Sequence, residues 1–208
     1  MTNSLRKDVC LCVFAKAPVP GKVKTRLMPY MDAESACQLH RQLIDECLSR
    51  TVMKNLWSSR LWSTDTEDEF IATMSKNYGM SLHKQQGSDL GQRMAHAVKA
   101  TLQSHRYVVL IGTDCPGLDA GYIETVLEHL QAGADCVLGP AEDGGYVMLA
   151  LSVYDDSLFN DIEWGTSQVA DITRQRIKAL VWRCKEMPVL WDVDRPADYE
   201  RLKMIADL

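Results

Sequence analysis

Four aspartates in this 208-residue chain stand where a carboxylate could hold a cation or move a proton. Asp114 follows an apolar run, in Ile111-Gly112-Thr113-Asp114-Cys115-Pro116-Gly117-Leu118-Asp119. Pro116 prevents the run from simply continuing, and Gly112 keeps the approach uncrowded. Hard carboxylate oxygens suit Mg²⁺ or Mn²⁺, and Mg²⁺ takes one or two carboxylates and leaves the rest to water and substrate phosphate. Asp119 is better placed to cap the next helix, which leaves Asp114 for the metal. Asp192 and Asp194, in Trp191-Asp192-Val193-Asp194-Arg195-Pro196-Ala197-Asp198-Tyr199, are two apart on an extended segment and point the same way. Asp194 reads equally as the cap of a closing helix with Pro196 in its first turn. The spacing does not choose which of the two binds. Asp143, in Gly139-Pro140-Ala141-Glu142-Asp143-Gly144-Gly145-Tyr146, carries a hairpin-turn signal. It also suits a group that orients or deprotonates an acceptor hydroxyl.

Opposite charge is concentrated near the N-terminus. Lys16, Lys22, Lys24 and Arg26 fall within one loop, Lys16 to Leu27, beyond the apolar run Val9 to Phe14. Pro18 and Pro20 stiffen that loop, and Gly21 permits a tight turn. A rigid cationic loop past the end of a strand is preorganised for an anion, because ligands of open α/β sheets bind beyond the carboxyl ends of the strands. The loop is not a Walker A motif: Lys16 stands where a glycine is needed and Val23 where Ser or Thr is needed. It holds one glycine, so it is no dinucleotide fingerprint either. A second loop, Gln86-Gly87-Ser88-Asp89-Leu90-Gly91-Gln92-Arg93-Met94, has Gly87 and Gly91 at a helix entrance where backbone N–H groups meet a base or phosphate. Plain capping by Ser88 or Asp89 accounts for it equally well. Trp164-Gly165-Thr166-Ser167 reads as an acceptor-side loop or another cap.

The elements that must position these residues alternate. Strands are expected at Val9 to Phe14, Leu56 to Thr64, Met80 to Gln86, Tyr107 to Ile111, Cys136 to Leu138, Tyr146 to Leu151 and Val189 to Asp192. Helices are expected from the Asp32 cap to about Arg50, from a Thr64-to-Glu67 capping box through Met74, from Asp89 to Gln103, from the Asp119 cap to Gly133, over Thr166 to Ala179 and over Pro196 to Ile205. Helix Asp89 to Gln103 should turn Leu90, Met94, Ala97, Val98 and Leu102 inward. Such alternation gives an α/β domain with a largely parallel sheet, and Ala141 to Gly165 breaks it with a small antiparallel addition. Length and patterning point to one domain over residues 1–208.

A net charge of −5 disfavours nucleic acid and anionic membranes as partners. No apolar run approaches a membrane span, and Met1 to Asp8 lacks the core of a signal peptide, so the expectation is a cytoplasmic protein, monomeric or homodimeric. Seven cysteines without a CxxC pair read as reduced and mostly buried, and five histidines show no close ligand spacing.

As an ordered set, Lys16 to Leu27, Gly87 to Met94, Gly112 to Leu118, Gly139 to Leu151, Trp164 to Thr166 and Asp192 to Tyr199 resemble the rSAM/selenodomain-associated transferase family. That family carries an arsenosugar-type glycosyltransferase label within the nucleotide-diphospho-sugar transferase (GT-A-like) superfamily. The Lys24-Thr25-Arg26-Leu27 ending is similar to that of 2-phospholactate guanylyltransferases, and Asp192 to Asp198 to a segment of molybdenum-cofactor nucleotidyltransferases. The resemblance implies a three-layer α/β/α fold of GT-A type and a metal-dependent transferase. Its partners would be a nucleotide-activated donor, NDP-sugar or NTP, and a small-molecule acceptor. Lys16, Gly21, Lys22, Lys24, Arg26, Gly87, Asp89, Gly91 and Arg93 would bind the donor, Asp114 with Asp192 or Asp194 the metal, and Asp114, Asp143 and Lys24 would serve catalysis. The chain departs from the usual GT-A Asp-x-Asp, having Thr113-Asp114-Cys115 instead. A regulatory nucleotide-binding module without chemistry is the contrasting expectation.

Overall fold

The computed structural model describes residues 6–206, so most of the opening segment Met1 to Asp8 lies outside the described part. The first strand, β1 (Arg6–Ala15), is apolar on both faces because it lies inside the sheet. Val9, Leu11 and Val13 enter one hydrophobic cluster, and Cys10 and Cys12 enter the other. The further strands are β2 (Trp57–Ser63), β3 (Ser81–Lys84), β4 (Tyr107–Ile111), β5 (Cys136–Pro140), β6 (Tyr146–Leu151) and β7 (Cys184–Glu186). They form one seven-stranded sheet in the order β3-β2-β1-β4-β6-β5-β7. β3, β2, β1 and β4 run parallel, as do β5 and β7, while β6 is antiparallel to both β4 and β5. The expected antiparallel element is therefore a strand inserted within the sheet.

Helices α1 (Ala33–Thr51), α2 (Glu69–Tyr78) and α4 (Ala120–Gln131) send Ile44, Ile71 and Ile123 into one cluster. Helices α3 (Leu90–Leu102) and α5 (Val169–Ala179) send Met94, Val98 and Ile177 into the other. The result is an α/β/α sandwich: the α/β domain the alternation implied, in the three layers the resemblance implied. Asp32, Asp89 and Asp119 each cap a helix as read from the sequence, accepting from the N–H of Ser35, Gln92 and Tyr122. A third cluster joins Leu27, Leu39, Leu43, Trp191 and Val193 to α6 (Pro196–Ala206) through Tyr199 and Leu202. Among the described residues, no helix is long and apolar enough to cross a membrane.

Three expectations are corrected. The second helix is capped by Asp68, which accepts from the Ile71 N–H at 3.0 Å, and not by a Thr64-to-Glu67 box. Asp65 instead accepts from Glu67 in a local turn. Leu90 sits in the first turn of α3 and is 42% exposed, not inward. Val189 to Asp192 makes one isolated bridge, Ala141 to Leu190, while the seventh strand is the polar edge Cys184–Glu186. Lesser differences are that α5 begins at Val169, after a turn, and that Asp194 does not cap α6: its backbone N–H and that of Arg195 both go to the Asp198 carboxylate.

The chain leaves α5 through Val181, a β-branched residue with φ +56° and 86% exposed. Its side chain packs on little and holds a left-handed conformation that costs L-residues about 1–2 kcal/mol. Val181→Gly should raise stability by about 1 kcal/mol, read as a higher thermal midpoint.

Candidate active site

β1 and β4 are parallel neighbours, with Val13 opposite Ile111, so the loops leaving their carboxyl ends open into the same crevice. That crevice has a volume of about 560 Å³ and is lined by Lys16, Lys22, Lys24, Arg26, His40, Gln85, Arg93 and Asp114. Gly21 makes the turn expected of it: its φ is +79°, and the Lys22 N–H closes back on the Val19 carbonyl at 3.0 Å. Lys16, Lys22 and Arg26 remain exposed on the loop.

Lys24 differs from its neighbours. It is buried, adopts φ +50°, and donates from Nζ to the Val193 carbonyl at 2.5 Å. The same nitrogen lies 2.8 Å from Asp114 Oδ1. Lys24 thus clamps Asp114 to the Asp192–Asp194 segment, whose Val193 N–H donates to the Asp114 carbonyl at 2.9 Å. Asp114 Oδ1 is buried and, among the described residues, receives no well-aligned hydrogen bond, so the charge of Lys24 is its main compensation. Burial works against its ionisation, yet Lys24, His40 and Lys16 together hold its pKa below the ordinary aspartate value. The side chain is still 41% exposed toward the crevice.

His40 is the residue the sequence does not reveal. It lies on the apolar stripe of α1, with Nε2 on the Lys16 carbonyl at 3.1 Å and Nδ1 3.8 Å from Asp114 Oδ1. Burial lowers its pKa and outweighs the pull of Asp114, so the ring is neutral near pH 7. The one available signal is a polar residue among Ala36, Leu43, Ile44 and Cys47.

The late segment alternates. Trp191 and Val193 are buried in the third cluster, which turns Asp192 and Asp194 outward together. Their fates then separate. Asp194 forms an ion pair with Arg26. Asp192 has no salt-bridge partner among the described residues, and desolvation plus the charges of Asp143, Asp114 and Asp194 raise its pKa to about 6. Asp192, Asp143 and Asp194 share a polar cavity of about 380 Å³ with Arg26 and Glu142. Glu142 itself pairs with Arg201 of α6 at 2.9 Å. Among the described residues no three His, Cys, Asp or Glu side chains form a metal cage by themselves. The donor set on hand is two carboxylates, Asp114 and Asp192, which fits a hard cation completed by water and phosphate.

In the second loop, Asp89 is spent on the Gln92 N–H and Gly87 accepts from Arg93 Nε at 3.0 Å. Arg93 is held at the crevice wall by that contact. Gly91 faces inward, not toward the crevice: a Cβ there would collide with the Phe159 carbonyl and lie 2.6 Å from the Trp164 indole nitrogen. Gly91→Ala should therefore cost about 1–3 kcal/mol by overpacking, measurable by denaturant titration.

Trp164 continues into an apolar cavity of about 250 Å³ with Phe14, Met94, Tyr146, Val147 and Val169. Tyr146 and Trp164 meet edge-to-face at 6.3 Å. Asp143 and Asp192 lie at its border, and Gly112 lines both this cavity and the cationic crevice. A Cβ at Gly112 would meet nothing within 4 Å, which bears out the uncrowded approach expected there. Asp143 is fixed by accepting the Gly145 N–H at 2.8 Å, and the turn is docked on α5, whose Ala170 N–H reaches the Gly144 carbonyl at 2.9 Å. Cys115 is buried with its thiol pKa pushed up to about 11, which leaves it unreactive.

The fold is shared with solved structures. A presumed nucleotide-diphospho-sugar transferase from Desulfovibrio desulfuricans G20 is 28% identical, with TM-score 0.85, covering 94% of this chain and 86% of that one. A cytidylyltransferase from Leptospira borgpetersenii serovar Hardjo-bovis is 15% identical, with TM-score 0.64, covering 98% and 88%. The glucosyl-3-phosphoglycerate synthase of Mycobacterium tuberculosis, solved with Mn²⁺ and UDP, is 11% identical, with TM-score 0.59, covering 94% and 75%. No curated protein matches the sequence. A family profile described as "Uncharacterized protein conserved in bacteria (DUF2064)" matches residues 47–166, a span that takes in Asp114, Asp143 and Trp164. The chain belongs to the DUF2064 family.

Proposed function

We propose that this protein is a cytoplasmic, Mg²⁺- or Mn²⁺-dependent transferase that moves a glycosyl group from an NDP-sugar to a small-molecule acceptor. The observation that carries the reading is Asp192: a carboxylate crowded by Asp143, Asp114 and Asp194, beside a cationic crevice. A divalent cation held by Asp114 and Asp192 would supply charge neutralisation for the leaving diphosphate. Lys16, Lys22, Arg26 and Arg93 bind the donor phosphates, and Asp194 fixes Arg26. Lys24 is a positioning residue, holding Asp114 in register with the Asp192 segment. Asp143 accepts the acceptor's proton. Catalysis of this kind is mostly positioning and charge stabilisation, with no covalent nucleophile. Likeness to the nucleotide-diphospho-sugar transferase structure supports it, and so do the motifs similar to the rSAM/selenodomain-associated transferases.

One observation favours a second reaction. Four crevice cations besides Lys24 are more than a diphosphate needs, and they suit the triphosphate of a nucleotidyl donor. Motifs similar to those of 2-phospholactate guanylyltransferases point the same way. Product analysis by phosphorus NMR separates the two. Release of NDP from NDP-sugar is expected; pyrophosphate released from NTP, with NDP-sugar inert, would replace glycosyl by nucleotidyl transfer.

A further inference from the structure

The cavity behind the aspartates differs in kind from the donor crevice. Among the described residues its only charged lining groups are Asp143 and Asp192, and no Lys, Arg or His reaches it. The donor crevice a glycine's width away carries Lys16, Lys22, Lys24, Arg26 and Arg93. At about 250 Å³ the cavity is smaller than most ligand pockets, enough for a single ring or a short branched chain. Its aromatic wall is packed: the Trp164 indole lies close against Gly91, leaving no room for a Cβ there, and Tyr146 stands edge-on to it. A phosphate placed there would face the Asp143 carboxylate with no Lys, Arg or His of the wall to pair it, and only a cation already shared by Asp114, Asp192 and the donor to offset its charge.

We propose that this cavity selects the acceptor, and that the acceptor is a small uncharged alcohol with an apolar body, phosphorylated acceptors being excluded. The inference rests on the transferase reading above for the word acceptor. In the transfer, the acceptor O–H gives its proton to Asp143 and its oxygen bonds to the anomeric carbon of the donor sugar. The bond from that carbon to the diphosphate oxygen breaks, and NDP departs with the electron pair.

A matched pair of probes tests the selectivity: 1,4-benzenedimethanol, with two free hydroxymethyl groups, and its monophosphate ester, which keeps one. Their binding to the wild-type protein is read by ligand-observed NMR, alongside binding of Mg²⁺ with nucleotides. The neutral diol should bind at least tenfold more tightly than the phosphate. Thr166→Lys places a cation on the cavity wall at a half-buried loop position and should erase or invert that preference. Equal or tighter binding of the phosphate to wild type overturns the inference. Nucleotide binding without diol binding also overturns it while leaving the transferase reading intact. Diol binding without nucleotide binding upholds the cavity's preference and removes the transferase reading instead.

Discussion

Asp192→Asn should reduce metal-dependent turnover by at least about 100-fold while leaving the protein as stable as wild type or more so. Both halves follow from one arrangement. Asp192 is partly desolvated and faces the like charges of Asp143, Asp114 and Asp194, so as an anion it strains the metal-free fold. Its pKa is raised to about 6 from an ordinary value of 3.8. A carboxylate with a raised folded-state pKa stabilises the fold in its protonated form. That contribution is complete below pH ~4 and is lost as pH rises through about 6. In chelator, wild-type stability should therefore fall by on the order of 1 kcal/mol between those values, the figure being discounted for partial exposure. The Asp192→Asn variant would lack this particular fall, and Mg²⁺ with nucleotide should flatten it in wild type. Stability curves of both proteins against pH, with and without metal, check the prediction. A variant that turns over normally would remove Asp192 from the site.

Lys24→Ala should damage both fold and function. Lys24 Nζ is the charge partner of Asp114 and a donor to Val193, joining the end of β4 to the segment that carries Asp192 and Asp194. Breaking a buried ion pair usually costs about 3–5 kcal/mol; with Asp114 41% exposed, about 2–3 kcal/mol is expected here. The left-handed φ of +50° is strained for Lys and Ala alike, so it does not contribute to the difference. Turnover should fall even at temperatures where the variant is fully folded, because Asp114 is no longer held in register. Lys24→Ala combined with Asp114→Asn should recover part of the stability and none of the activity. Full loss of stability in the double variant would mean that Lys24 serves Val193 alone.

Much of this site was legible because its residues follow strong strands. Tyr107 to Ile111 has one reading, so Asp114 had to emerge at a strand end, and Val9 to Phe14 did the same for the cationic loop. Adjacency of β1 and β4 is a tertiary fact, and it turned two separate motifs into one crevice. What stayed hidden depends on contacts across the chain. Lys24 looks like any other cation of its loop until Val193 and Asp114 enclose it. His40 looks like a flaw in an apolar stripe. Trp191 and Val193 alternate like strand residues, but their segment hydrogen-bonds to Asp114 beyond β4 and to Pro140 and Glu142 at the end of β5, making one isolated bridge and, among the described residues, no ladder. The true edge strand, Cys184–Glu186, is short and polar and carries no periodic signal.

The most direct test is thermal-shift titration of the wild-type protein with NTPs, NDPs and NDP-sugars, each in Mg²⁺ and in chelator. At about 100 times the dissociation constant a ligand adds about 2.7 kcal/mol of stability, a shift of several degrees for a chain of this length. Stabilisation by one nucleotide class that disappears in chelator, and in Asp192→Asn, is the predicted result. Equal stabilisation with and without metal would contradict the metal-bridged donor site and favour a nucleotide-binding module without chemistry.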